Sequence, residues 1–326
     1  MIALFGTFYV ILLILIIYSI IRKSGKKIKI NEEVSSKYKD IAYELIKDNK
    51  ELNIQRRNHN ILALIKGLFV IGIFCMFILI SVIGPAAIIF MVILIITLIV
   101  IQLTTGKSNL IFDKILPDII EKHYKDFKYD HSKGIDKLTY REARFEGFDR
   151  YRSDDLILGK VCGYDFCMSE VHTERRHTDK DGHTHYTTIF HGAFSKVTLN
   201  KDLGCFITIV NNRIKLFSKD YYITIDNEAF EKNYDVFTDD KIKAMRLLTP
   251  DVTTKMIDLY NETGIYCEVK IMNNLLYIRL YTGALFNLSF SNAEKEALMV
   301  GKSLAVIDSV FKIMENFIKE VEEFDV

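Results

Sequence analysis

The chain has 326 residues, is 49% hydrophobic, carries a formal net charge of +1, and contains no tryptophan and three prolines. A charge this close to zero excludes the strongly basic surface that nucleic-acid binding requires, and so few prolines exclude long proline-rich linkers. The averages hide an uneven chain, because the apolar residues crowd into the first third while Lys107 to Val326 has the mixed texture of a domain able to build its own core.

Met1 to Ile21 contains no charged residue, and Gly67 to Thr105 contains none either, interrupted only by Gly84-Pro85. A bilayer core of roughly 30 Å needs about 20 apolar residues per helix, so these runs predict one span over 1–21 and a transmembrane helical hairpin over 61–105. The first run has no basic residue ahead of it and no small-residue cleavage site before the lysines, which predicts an uncleaved anchor. Arg22, Lys23, Lys26, Lys27 and Lys29 follow it directly. Positive flanks stay in the cytoplasm, so the N-terminus is expected outside an inner membrane and residues 107–326 inside. Between the runs, 22–60 reads as an amphipathic cytoplasmic helical segment with Val34, Tyr38, Ile41, Ala42, Leu45 and Ile46 at helical spacing.

Residues 106–135 read as a membrane-proximal helix and linker, with Ile111, Ile115, Ile119 and Tyr124 near one face and Pro117 as a kink or restart. From 136 to 326 a cytoplasmic α+β domain is expected. Short segments rich in β-branched and aromatic residues predict strands over Lys160–Ser169, Val171–Thr178, His183–Phe194, Cys205–Val210, Arg213–Phe217 and Tyr221–Ile225. Helices follow over Asp239–Leu248 and Pro250–Glu262, the second opening on Thr249-Pro250 and stopped by Gly264. A hairpin around Asn273-Asn274 and a long C-terminal helix from Ala293 to Phe324 complete an antiparallel sheet with helices on one face.

The five cysteines fall at scattered positions with no disulfide framework, which suits a reducing compartment. The densest polar cluster is Glu170, His172, Glu174, then Asp179 to Gly182, then His183, His185 and His191. A hairpin pairing Thr178 with His183 would put Glu170, His172 and Glu174 on one face with His185 and His191. The candidate metal ligands are therefore His172, Glu174, His185 and His191, with zinc or another divalent ion as the only cofactor the residues suggest. A one-residue slip in register would separate them, and an exposed polar hairpin is the competing reading. No catalytic residues are assigned. Glycine-rich phosphate loops and nucleophile motifs are absent, and the paired acids Asp154-Asp155 and Asp239-Asp240 read as element boundaries.

One further pattern spans most of the later chain. Phe127-Lys128-Tyr129-Asp130, Gly134-Ile135, Phe148 to Asp155, Gly159, Ser169 to Glu174, Ile189 to Phe194, Asn200-Lys201, Phe230-Glu231-Lys232, Val236 to Asp240 and Leu248-Thr249-Pro250 occur in this order. In this the chain resembles an uncharacterised bacterial family of membrane proteins, a domain of unknown function, over about Ile111 to Val310. The resemblance implies a hydrophobic hairpin followed by a cytoplasmic α+β domain and supplies no activity, substrate or catalytic residue. Three functional readings stand at this stage. One is a binding or interaction domain tethered to the inner leaflet, with the lipid bilayer, another membrane protein or a second copy as partner. The others are a metal-dependent enzyme using the Glu170–His191 hairpin, and an oligomeric membrane scaffold or stress-response component.

Overall fold

The structure is a computed structural model that describes residues 32–104, 115–212, 221–286 and 292–324. The chain forms two compact units, one of residues 35–131 with 286–305, the other of 132–285 with 306–326.

The first unit is helical: α1 (Glu32–Lys47), α2 (Lys50–Ile83), α3 (Pro85–Thr104) and α4 (Leu116–His123), followed by the short strand β1 (Lys128–Asp130). In α1 the predicted stripe is present, with Tyr38, Ala42 and Ile46 buried one turn apart, so the helix packs within its own protein. Pro117 stands in the first turn of α4, as its missing N–H allows. Arg56 of α2 makes two bonds to Glu296, at 2.8 Å through Nε and 2.5 Å through a terminal nitrogen, with both side chains almost wholly buried.

Among the described residues, no helix is long and apolar enough to cross a membrane. This corrects the expected transmembrane hairpin over 61–105 and with it the placement of the chain as a multi-pass inner-membrane protein. The physical reason lies in the helix bounds. Because α2 starts at Lys50, the charged residues Glu51, Arg56, Arg57 and Lys66 share its cylinder with the apolar ones. The expected first span over 1–21 lies outside the described residues. The hairpin that does form is broken at Gly84 as read, and it leaves Leu64, Leu68, Ile71, Ile89, Phe90, Ile93 and Ile96 each more than half exposed.

The second unit carries the α+β texture the sequence predicts. Its elements are α5 (Lys137–Glu142), β2 (Arg150–Val161), β3 (Tyr164–Thr178), β4 (Thr184–Thr198), β5 (Phe206–Asn211), β6 (Tyr222–Ile223), α6 (Glu228–Glu231), β7 (Tyr234–Thr238), α7 (Lys241–Leu247), α8 (Pro250–Thr263), β8 (Cys267–Met272) and β9 (Leu275–Leu280). The long helix α9 (Ala293–Glu322) supplies residues to each unit, divided at Ala305 and Val306. Across this unit the strands lie in the order β2-β3-β4-β9-β8-β5-β7-β6, and all the pairs are antiparallel.

Local chemistry explains most boundaries. Thr249 and Asp240 accept from backbone N–H groups at the starts of α8 and α7, so Asp240 serves a helix start as read, while Asp239 accepts from the Phe206 N–H of β5. The strand expected over Lys160–Ser169 is instead two strands, because Cys162 and Gly163 both take positive φ, 51° and 83°. Two left-handed residues in a row are the geometry of a tight hairpin turn. The expected strand over Arg213–Phe217 falls outside the described residues.

The two faces of the sheet differ. One bears Phe166, Met168, Val197, Leu276 and Ile278, and there Phe311 of α9 meets Phe166 edge-on at 5.1 Å. The other bears Val171, Phe194 and Tyr277 and is covered by the 135–151 segment through Ile135, Tyr140, Ala143 and Phe145. The second layer is therefore irregular chain and one short helix, built around aromatic rings.

Candidate functional site

The predicted metal ligands are only partly brought together. His172 pairs directly with His191 across β3 and β4, their rings stacked with centroids 4.5 Å apart. His191 Nε2 lies 2.8 Å from Glu170 Oε1, and the other carboxylate oxygen accepts from the Leu285 N–H at 2.6 Å. A register shift between Thr173 and Glu174 then changes the pairing, so that Glu174 opposes Thr188 and His185 opposes His177. One extra residue on β4 moves His185 to the opposite face from Glu174, by the alternation of strand side chains. His185 is exposed and bonds Asp179 at 3.2 Å, while Glu174 pairs with Arg150 at 3.8 Å. Burial, then the neighbouring His191, pushes the His172 pKa down.

Among the described residues, carboxylate and imidazole atoms gather within 4.8 Å in two groups. One is the exposed tip Asp179, Asp181 and His183, and the other is Asp154, Asp155 and Glu170. Asp155 is buried with φ of 56° at the bulge in β2, so the Asp154-Asp155 pair lies inside a strand rather than at its end.

A different cluster, missed in the sequence, lies on the aromatic face of the sheet. Glu268 and Arg279 oppose each other across the β8–β9 hairpin, both without solvent exposure, and Arg279 Nε bonds Glu268 Oε2 directly. Arg279 also donates to Glu146 at 2.6 Å and to the Tyr140 hydroxyl at 3.3 Å, and its guanidinium sits 4.1 Å from the centre of the Phe145 ring. Burial disfavours charge on this guanidinium, but Glu268, Tyr281, Tyr140 and Glu146 outweigh it and hold Arg279 charged. One step along β8, the buried Lys270 donates to the Arg144 carbonyl at 2.7 Å. Burial, then the positive Arg279 and Arg144, brings its pKa down to about 8.

Above this cluster opens a cleft of about 440 Å³ lined by Arg141, Arg144, Glu146, Gly147 and Phe148. Its wall is held at three points. Lys270 holds the Arg144 carbonyl, Arg279 holds the Glu146 carboxylate, and Arg175 donates to the Gly147 carbonyl at 3.0 Å. Arg144 has φ of 49°, a left-handed backbone that a bulky side chain adopts only when its surroundings impose it. Phe148 is backed by Tyr140 and Tyr151 and flanked by Lys137 and Arg141, whose cationic groups lie 5.6 and 5.3 Å from its centre. The cleft residues fall ahead of the first predicted strand, Lys160–Ser169. The available signal was the crowding of Arg141, Arg144, Phe145, Glu146, Gly147 and Phe148, charged and aromatic residues interleaved within a few positions.

Residues 188–325 match a family described as "Protein of unknown function (DUF3137)", which bears out the resemblance to an uncharacterised family. No curated protein matches the chain. A solved structure, that of the mycobacterial trehalose monomycolate transport factor A, TtfA, aligns at a TM-score of 0.31 and 10% identity over 56% of this chain and 86% of that one.

Proposed function

We propose that the sheet unit is a binding module whose ligand seat is the cleft lined by Arg141, Arg144, Glu146, Gly147 and Phe148. The observation that carries this reading is the pinning of the cleft wall. Three cationic side chains fix the backbone or carboxylate of residues 144, 146 and 147, while the cleft itself stays open. A seat fixed before its ligand arrives loses little ordering entropy on binding, which favours recognition. The ionic groups beneath are bonded to one another rather than presented to the opening, as suits a supporting floor.

Gly147 gives a clean test, because a Cβ built there meets nothing within 4 Å. Gly147→Leu should therefore plug the cleft without disturbing the core. Thermal melts of the full chain against a panel of anionic, neutral and cationic small molecules should reveal a class that raises the midpoint in the parent, by mass action. The rise should vanish in Gly147→Leu at unchanged ligand-free stability. A panel that shifts nothing, or shifts both proteins alike, would overturn the reading.

A further inference from the structure

We infer that the cleft recognises an oxyanion, a phosphate or carboxylate group on a small molecule, held between the Arg141 and Arg144 guanidiniums. This rests on the binding reading above and names the chemistry of its ligand.

Two arginines and one glutamate supply the formal charge at the opening. The glutamate is already committed, since Glu146 accepts from Arg279 at 2.6 Å and both side chains are nearly inaccessible. Among the described residues, neither Arg141 nor Arg144 has a carboxylate within ion-pair distance of its side chain. Among the described residues, the positive charge of Arg141 and Arg144 is therefore uncompensated by any ion pair.

The second argument is aim. Arg141 stands in the last turn of α5, a helix whose start is fixed by Asp136 accepting from the N–H groups of Leu138 and Thr139 at 2.9 Å each. Arg144 follows after one turn of chain in a left-handed backbone, and the buried Lys270 holds that conformation through its carbonyl. A left-handed backbone held by a buried cation therefore fixes the main chain of Arg144, a residue that lines the opening. Guanidinium groups present planar forks of N–H donors, whose geometry matches the paired oxygens of phosphate and carboxylate. Arg141 and Arg144 are both exposed, so a neutral ligand would gain nothing from their charge, and cations would be repelled.

The test is calorimetric titration of the full chain with sodium pyrophosphate, citrate, spermidine and glucose, repeated with Arg141→Gln, Arg144→Gln and the cleft-filling Gly147→Leu. Pyrophosphate or citrate should bind, each arginine substitution should weaken it about tenfold or more, and Gly147→Leu should abolish it. The preferred probe of the two identifies phosphate or carboxylate as the recognised group. Raising the salt concentration should weaken binding in the parent and do so less in either arginine variant. Binding of glucose or spermidine alone, lost in Gly147→Leu, would overturn the oxyanion assignment and leave the binding module intact. Binding of no probe, or anion binding indifferent to all three substitutions, would overturn both.

Discussion

Glu268 and Arg279 form a salt bridge with no solvent exposure on either side chain, and Arg279 extends it to Glu146 and the Tyr140 hydroxyl. Burying such groups costs solvation that their mutual attraction only partly offsets, so the pair adds little net stability but punishes any change to one member. Glu268→Gln should destabilise the chain by about 3–5 kcal/mol, read from urea unfolding. The double replacement Glu268→Leu, Arg279→Met should cost less than the sum of the single changes. It should still fall short of full recovery, because Glu146 then loses its guanidinium partner. A strictly additive cycle would show that the two side chains do not act as a pair.

Two glycines separate close approach from backbone freedom. A Cβ on Gly192 would lie 1.9 Å from the Leu280 carbonyl oxygen and 2.8 Å from the Thr282 nitrogen, both backbone atoms of the chain leaving β9. Gly192→Ala should cost about 3 kcal/mol or more, since relief requires moving a paired strand. Gly163 has open space around it and a φ of 83°, so Gly163→Ala should cost only about 1 kcal/mol. Thermal melts of the two variants should differ in that order, and equal losses would remove the steric argument.

The sequence told these regions apart unevenly. The β8–β9 hairpin was legible because Asn273-Asn274 sits between two runs of alternating residues, and α8 was legible from Thr249-Pro250 at one end and Gly264 at the other. The β2–β3 hairpin was not, since Cys162 is an unusual residue for a left-handed turn position and the flanking segments read as one strand. Register was hidden too, because the bulge opposite Thr173 and Glu174 leaves no mark in composition yet decides whether His185 joins His172. The cleft was least legible of all. Glu268, Lys270 and Arg279 alternate with apolar neighbours as they would on a water-facing strand, and only the covering 135–151 segment makes that face an interior. Charge-free runs misled in the opposite direction, because α2 starts at Lys50 and joins a charged stretch to an apolar one, which the run from Gly67 alone does not show.

Lys270 makes stability depend on pH above neutrality. Its pKa falls from 10.5 to about 8 on folding, through burial first and neighbouring cations second. Between those values the unfolded chain binds more protons than the folded one, so the penalty for charging Lys270 is fully present below pH 8 and is relieved as pH rises toward 10.5. The full relief is on the order of 3 kcal/mol. Tyr140 and Tyr281 oppose it near the top of the window, since burial raises both and they ionise more readily unfolded. Unfolding measured from pH 7.5 to 9.5 should show the parent gaining stability relative to Lys270→Met across this interval. A constant difference between the two would remove the buried lysine as the source.

The stacked imidazoles of His172 and His191 make the opposite prediction in acid. Burial and the neighbouring ring hold the His172 pKa below its ordinary 6.5, against the pull of Glu174 and Glu170, with Arg152 adding to the shift. The folded state therefore resists a proton that the unfolded chain accepts, so the stabilisation is whole above pH 6.5 and falls as pH drops through that value toward the folded pKa. His191 is tied to Glu170, which also holds the Leu285 N–H, so a proton on His172 that displaces the stacked His191 ring should loosen the chain leaving β9 before the sheet itself opens. The unfolding midpoint of the parent should fall between pH 7 and pH 5, and His172→Gln should flatten that fall. The protection factor of the Leu285 amide, taken against the intrinsic exchange rate at each pH, should fall over the same interval in the parent alone. An unchanged Leu285 amide, or an identical acid profile in His172→Gln, would show that the stacked pair carries no proton-linked stability.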